Sequence, residues 1–236
     1  MTIFCAFSTT SLGSCLIVEH EAPKRSVAQR RTLAFYGRSG GTISVTYTTK
    51  ELTPATWVDF ERMFAPGRSW SFCACMLYQR GCHLDVKRFP DRASSLAQNQ
   101  SEKRALVDAG RAHGILVYDD REPIGWCQFG PAEELPLPGA TRLDRRIPPL
   151  GAGVRWRITC FVTIVRQRRR GVASTALRSA LNAIRERGGG LVEAYPTLTP
   201  RDPNWAHAGA VSLFEREGFI IVDRPSEKYV VMQREV

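Results

Sequence analysis

The sequence predicts a mixed α/β domain, and three observations point to it. Residues 155–165 are rich in β-branched and aromatic side chains and read as a buried strand, and a second strand, 191–196, ends at Pro196. Between them Leu177, Leu181 and Ile184 recur at the helical period until Gly188-Gly189-Gly190 stops the helix. A strand, a helix and a strand joined this closely make a parallel, right-handed crossover. Finally, Ile115–Tyr118 and Ile124–Phe129, joined by Asp119-Asp120-Arg121-Glu122-Pro123, read as an antiparallel hairpin. The expected architecture is a mostly antiparallel twisted sheet with one parallel pair, flanked by helices.

Composition bounds the rest. The 236 residues are 43% hydrophobic, enough for one domain with a true core. No apolar run approaches the length of a bilayer-spanning helix. Net charge is +10, with lysine supplying five of the 33 basic residues. An arginine-heavy balance suits phosphate or nucleic-acid partners, although arginines scattered over a solvated surface account for most of the excess. Seven cysteines, at 5, 15, 73, 75, 82, 127 and 160, do not form a disulfide framework. They read as small buried hydrophobes of a reducing, cytoplasmic compartment. Cys73-Ala-Cys75 with Cys82-His83 is the one arrangement near a zinc pattern, and Cys-x-Cys fits it poorly, so no metal is expected.

In chain order, residues 1–41 are rich in Gly, Ser and Thr, and the patch from Lys24 to Arg38 is basic with no acid. They read as a flexible extension, with no positive n-region of a secretory signal. The folded domain is expected over 42–236, opening with a strand near Thr42–Thr48. Thr53-Pro54 reads as a helix start, followed by an apolar stripe of Trp57, Phe60 and Phe64. Trp70–Tyr78 is apolar, a strand or a floor beneath the site. Asn99-x-x-Glu102 resembles a capping box opening a helix that Gly110 ends. The proline-bearing stretch 131–153 is a long connection, in which Glu133 and Glu134 either meet a cationic amine or are solvated surface.

The chemistry concentrates between strand and helix, at Arg166, Arg168, Arg169 and Arg170, followed by Gly171-Val172-Ala173. A strand that turns sharply into a helix leaves backbone N–H groups aimed outward, a natural anion site. Gly171 permits close approach and Ala173 leaves the first turn unobstructed.

Arg168-Arg169-Arg170-Gly171-Val172-Ala173 matches the Arg/Gln-x-x-Gly-x-Gly/Ala signature of the GNAT superfamily of N-acetyltransferases. The match extends over residues 155–235, through a last helix ending Phe214-Glu215-Arg216-Glu217-Gly218-Phe219. Gly-Trp-Cys at 125–127, Cys-Phe at 160–161 and Glu-Ala-Tyr-Pro at 193–196 resemble a bacterial branch of it. The resemblance implies that residues 168–173 wrap the pyrophosphate of acetyl-coenzyme A. It also implies that the parallel strands splay, with pantetheine pairing with the backbone of Phe161, Val162 and Thr163. Direct transfer of the acetyl group to a primary amine then needs an oxyanion donor, a base and an acid. The N–H near Val162 is the family-like donor. Glu193, sharing a strand face with Tyr195, is the best-placed base, or equally a glutamate pairing with a nearby arginine. Many relatives place an acidic tyrosine where this chain has Phe214, a position grouped with the coenzyme-contacting residues. Phe214 has no proton to give and is expected to pack with Val211 and Phe219. Tyr195 and His207, the latter placed on the last helix, are the other proton donors.

The expected partner is a small-molecule amine, with no membrane; a homodimer is left open, and nucleic acid is not favoured. The alternatives are an RNA-facing acetyltransferase acting on aminoacyl-tRNA, and a non-catalytic coenzyme A-binding protein.

Overall fold

A computed structural model describes residues 29–36, 42–65, 73–81, 89–136, 154–199 and 206–236, with side chains from Thr46 onward. Its centre is one sheet in the order β1-β2-β3-β4-β5-β6-β8-β7. The strands are β1 (Gln29–Tyr36), β2 (Thr42–Glu51), β3 (His113–Asp119), β4 (Glu122–Pro131), β5 (Arg155–Thr163), β6 (Leu191–Ala194), β7 (Ile220–Asp223) and β8 (Val231–Glu235). All neighbours are antiparallel except β5 and β6. The expected sheet, hairpin and parallel pair are therefore present.

Helices cover both faces. On one face lies α4 (Val172–Glu186), whose Leu177, Leu181 and Ile184 are buried with Val192 and Ala194 of β6. Beside it is the short α5 (Val211–Glu215), with Leu213 and Phe214 in the same core. The opposite face carries α1 (Trp57–Met63), α2 (Met76–Arg80) and α3 (Arg92–Asp108). There Trp57, Phe60 and Phe64 pack with Trp126, the Phe60 and Trp126 rings meeting edge-on at 4.9 Å. Aromatic pairs at that separation add to what burial alone contributes.

Four expectations are corrected. Residues 29–36 do not belong to a flexible extension, because they form β1 and pair with β2 from Gln29↔Thr49 to Tyr36↔Thr42. The basic character of this stretch masked its strand formers Thr32, Phe35 and Tyr36. Residues 76–80 are helical rather than a strand; Trp70 falls outside the described residues. The helix expected to open at Asn99 opens at Asp91, whose side chain accepts from the Ser94 N–H at 2.7 Å. Its inward face bears Ser95, Asn99 and Lys103 alongside Leu96 and Val107, so the apolar period is broken where the helix begins. Asn99 and Glu102 instead hold Arg80 of α2, at 2.7 and 2.6 Å. The crossover strands are shorter than expected: β5 ends at Thr163 and β6 at Ala194. Cys82 and His83 lie outside the described residues, as do 1–28 and 137–153.

Glu134, expected at a site entrance or on the surface, turns inward, its Oε2 3.3 Å from His113 Nε2. Burial, then the Arg187 charge, lowers the His113 pKa from 6.5 to about 4, and burial raises that of Glu134. The folded state therefore holds His113 neutral where the unfolded chain binds a proton. Stability from this site is complete above pH 6.5 and is lost as pH falls toward 4. Between pH 7.5 and 5 the loss is about 2 kcal/mol. Urea unfolding at the two pH values should show that difference in wild type and a smaller one in His113→Phe; equal differences would exclude His113 as its source.

Candidate active site

β5 and β6 pair only from Arg155↔Leu191 to Ile158↔Ala194. Beyond Ile158, β5 continues to Thr163 bonded to β4, and among the described residues no strand pairs with its other edge. A bulge in β4–β5 at Gln128/Phe129 falls where the strands part. The expected splay is thus a feature of the fold. The turn Ala206–Ala208 packs against β5, and Gly209 just after it lies beside the Phe161 ring.

After Thr163 the chain makes a 3₁₀ turn at Val165–Gln167 and enters α4 through two left-handed residues, Arg169 (φ +61°) and Gly171 (φ +81°). Gly171 adopts that conformation without penalty, while Arg169 bears a cost of order 1 kcal/mol. The turn is clamped from the sheet. The Tyr47 hydroxyl donates to the Arg170 carbonyl at 3.2 Å, and Gln167 Nε2 donates to Asp119 Oδ2 at 3.2 Å. Thr175 N–H makes the first helical bond, to Gly171 O at 2.9 Å. The N–H groups of Val172, Ala173 and Ser174 precede it at the open helix end, where the helix dipole favours an anion.

A cavity of about 600 Å³ opens at this point. It brings together Phe161, Val162, Thr163, Arg168, Arg169, Gly171, Val172 and Ala173 of the expected coenzyme residues. Arg170 is exposed at its border and contacts Gln167 at 3.4 Å. Phe214 is fully buried behind the wall, edge-on to Phe161 at 5.8 Å and to Phe219 at 5.2 Å. The far wall, Ala206, Gly209, Ala210, Ser212 and Arg216, was not foreseen. Gly209 (φ +79°) was its available signal: a Cβ there would stand 3.1 Å from the Phe214 ring.

The expected acid–base residues are placed differently from the coenzyme residues. Glu193 is 1% exposed and is not on the cavity wall. It lies 3.4 Å from Arg155 Nε and 3.5 Å from Arg157 Nε, and accepts from Tyr195 Oη at 2.9 Å and Gln233 Nε2 at 3.0 Å. Burial, and then the neighbouring Glu193 carboxylate against the opposing pull of Arg157, leaves the Tyr195 hydroxyl well above the ordinary phenol range. Tyr195 is therefore a committed donor to Glu193. His207 sits in the separate 3₁₀ turn rather than on α5, because Gly209 and the extended Ala210 interrupt the helix. Its ring meets α2, Nε2 standing 3.3 Å from Tyr78 Oη.

A sheet parted beside an open helix start has the shape that suits an elongated phosphate-bearing coenzyme. A sequence model of the acetyltransferase (GNAT) family matches residues 77–219, and the chain belongs to that family. It is an acetyltransferase whose acyl donor is acetyl-coenzyme A. No curated protein sequence matches the chain significantly. Among solved structures it is similar to a GNAT-family protein from Desulfovibrio desulfuricans (15% identity, 80% of this chain and 98% of that one, TM-score 0.47). It is also similar to the GNAT domain of S. lividans PAT (16%, 87% and 97%, 0.45). A third is the PaiA N-acetyltransferase from Thermoplasma acidophilum in complex with coenzyme A (12%, 80% and 99%, 0.45). At these values no residue role transfers from them.

Removing Glu193 strands a buried guanidinium, since Arg157 is 2% exposed. Glu193→Ala should cost about 3–5 kcal/mol in urea unfolding. Tyr195→Phe should cost about 1–3 kcal/mol. Wild-type stability in Glu193→Ala would show that the network does not hold the paired half of the crossover.

Proposed function

We propose that the chain is an N-acetyltransferase moving the acetyl group of acetyl-coenzyme A directly to a primary amine of a small molecule. The observation that carries this reading is the cavity joining the free edge of β5 to the start of α4. Pyrophosphate fits the N–H groups of Val172, Ala173 and Ser174, with Arg168, Arg169 and Arg170 supplying charge. Pantetheine completes the edge at Phe161, Val162 and Thr163, which places the thioester where sheet and turn part. An edge N–H at or beside Val162 is aimed to hold the tetrahedral oxyanion.

Of the proton carriers that the fold offers, His207 suits the amine's proton best. Its turn packs on β5, and Ala206 and Gly209 on either side line the cavity. Glu193 and Tyr195 hold the paired half of the strands in register, and water protonates the leaving thiolate, since Phe214 has no proton to give.

Gly171→Val puts a β-branched residue at φ +81° and should weaken acetyl-coenzyme A binding about tenfold or more in calorimetry, with single arginine-to-alanine changes costing less. Undiminished binding by Gly171→Val would contradict the site. His207→Ala should lower turnover about 10²–10⁴-fold with coenzyme affinity kept, in an assay of coenzyme A release against a panel of amines and tRNA. Release with tRNA alone would replace the small amine by aminoacyl-tRNA, and binding without release would leave a coenzyme-binding protein.

A further inference from the structure

On the face of β5 opposite α4, two thiols from distant parts of the chain meet. Cys75 Sγ and Cys160 Sγ are 3.0 Å apart, and the residues are only 2% and 6% exposed. Cys75 is delivered there by a strained backbone: Ala74 (φ +45°) and Cys75 (φ +51°) are both left-handed without being glycine. Such a pair is strained and persists only where its surroundings impose it. Gln128 imposes it, donating from Nε2 to the Cys75 carbonyl at 3.0 Å while its Oε1 accepts from Thr159 at 3.1 Å.

The surroundings of Cys75 are those of an anion. Lys103 is 0% exposed, and among the described residues its only oxygen partner is the Gln79 side-chain amide, with no carboxylate. The ammonium lies over the Phe60 and Trp126 rings, at 5.8 and 5.9 Å from their centroids. A buried cation without a carboxylate needs another counter-charge. The indole N–H of Trp126, 1% exposed, is likewise without an oxygen or nitrogen acceptor among the described residues. Burial opposes ionisation of Cys75, but the Cys160 hydrogen bond, the Lys103 charge and the Trp126 N–H together hold its thiol below the ordinary range. The same hydrogen bond, then burial, pushes Cys160 far above it. One thiol is thus activated and its neighbour kept protonated.

We propose that Cys75 and Cys160 form a peroxide-reactive dithiol, with Cys75 as the nucleophile and Cys160 as the resolving thiol. The Cys75 thiolate attacks one oxygen of a hydroperoxide; the O–O bond breaks, water or an alcohol leaves once protonated, and Cys75 becomes a sulfenic acid. Cys160 sulfur then attacks Cys75 sulfur, the S–S bond forms, the S–O bond breaks, and water leaves with the Cys160 proton. Two thiols lose two electrons in all, and the peroxide is the oxidant reduced. Burial of both sulfurs selects a small oxidant over a bulky disulfide reagent. Among the described cysteines, the half-buried Cys73 is the thiol that such a reagent meets instead. The bond formed ties the start of α2 to the strand whose next residues, Phe161–Thr163, wall the cavity.

The test needs neither acetyl-coenzyme A nor an amine, so it stands or fails apart from the proposed transfer reaction. The reduced full chain is treated with hydrogen peroxide, alkylated under denaturing conditions and mapped by mass spectrometry. The expected product is a Cys75–Cys160 linked peptide, reversed by dithiothreitol. Cys75→Ser should abolish the link, and Cys160→Ser should leave a Cys75 sulfenic acid that dimedone traps. Lys103→Met, with melting followed to confirm folding, should slow oxidation about tenfold through the loss of thiolate. Both thiols still free after peroxide has oxidised Cys73, or dimedone trapped on Cys160 rather than Cys75, would overturn the proposal.

Discussion

The structure depends on a hydrogen-bond ladder that stops halfway. β5 and β6 are bonded as far as Ile158 and Ala194, and among the described residues the rest of β5 has a strand partner on one side only. Backbone N–H and C=O groups require partners, so a strand edge inside a sheet is either covered or completed by something that binds. Here the Ala206–Ala208 turn comes alongside, and the cavity opens next to it. The same strand runs on into the turn that starts α4. One stretch of backbone therefore carries both a strand edge and an open helix end beside a single cavity.

Keeping the gap open requires that the paired half be held firmly. Glu193 does so by gathering Arg155, Arg157, Tyr195 and Gln233, which brings β5, β6 and β8 together at the level where pairing ends. On the α4 face, Phe214 packs edge-on against Phe161 and Phe219, setting α5 beside the cavity. Tyr47 and Gln167 fasten the arginine-rich turn to the hairpin side of the sheet. Polar groups buried at these points give register and direction where apolar packing alone would leave the strands free to slide.

Much of this was legible in the sequence because it is local. The strand, the arginine run, Gly171 and the helix stripe of Leu177, Leu181 and Ile184 follow one another without interruption, and each element signals the next. Less was legible where partners come from far away. The carboxylate of Glu193 shares a strand face with Tyr195, as alternation requires, but Gln233 and the arginines that occupy it belong to other strands. The true start of α3 is hidden because its buried face sets Ser95, Asn99 and Lys103 alongside Leu96 and Val107 and so interrupts the apolar stripe. β1 was hidden by the arginines within it, and His207 was placed on a helix that Gly209 and Ala210 interrupt. Tyr47 and Tyr78 had no local mark at all, since their partners stand 123 and 129 residues away in the chain.

The central claim is that main chain, rather than any one side chain, holds the coenzyme, along the free edge of β5 and at the open end of α4. Residue-resolved amide hydrogen exchange, with and without acetyl-coenzyme A, tests it most directly. The account predicts slowed exchange at Val172, Ala173 and Ser174 and along Phe161–Thr163, with β1 and β7 at the far edges of the sheet unchanged. Protection confined to segments outside the cavity, with the amides of 172–174 exchanging as in the free protein, would contradict it.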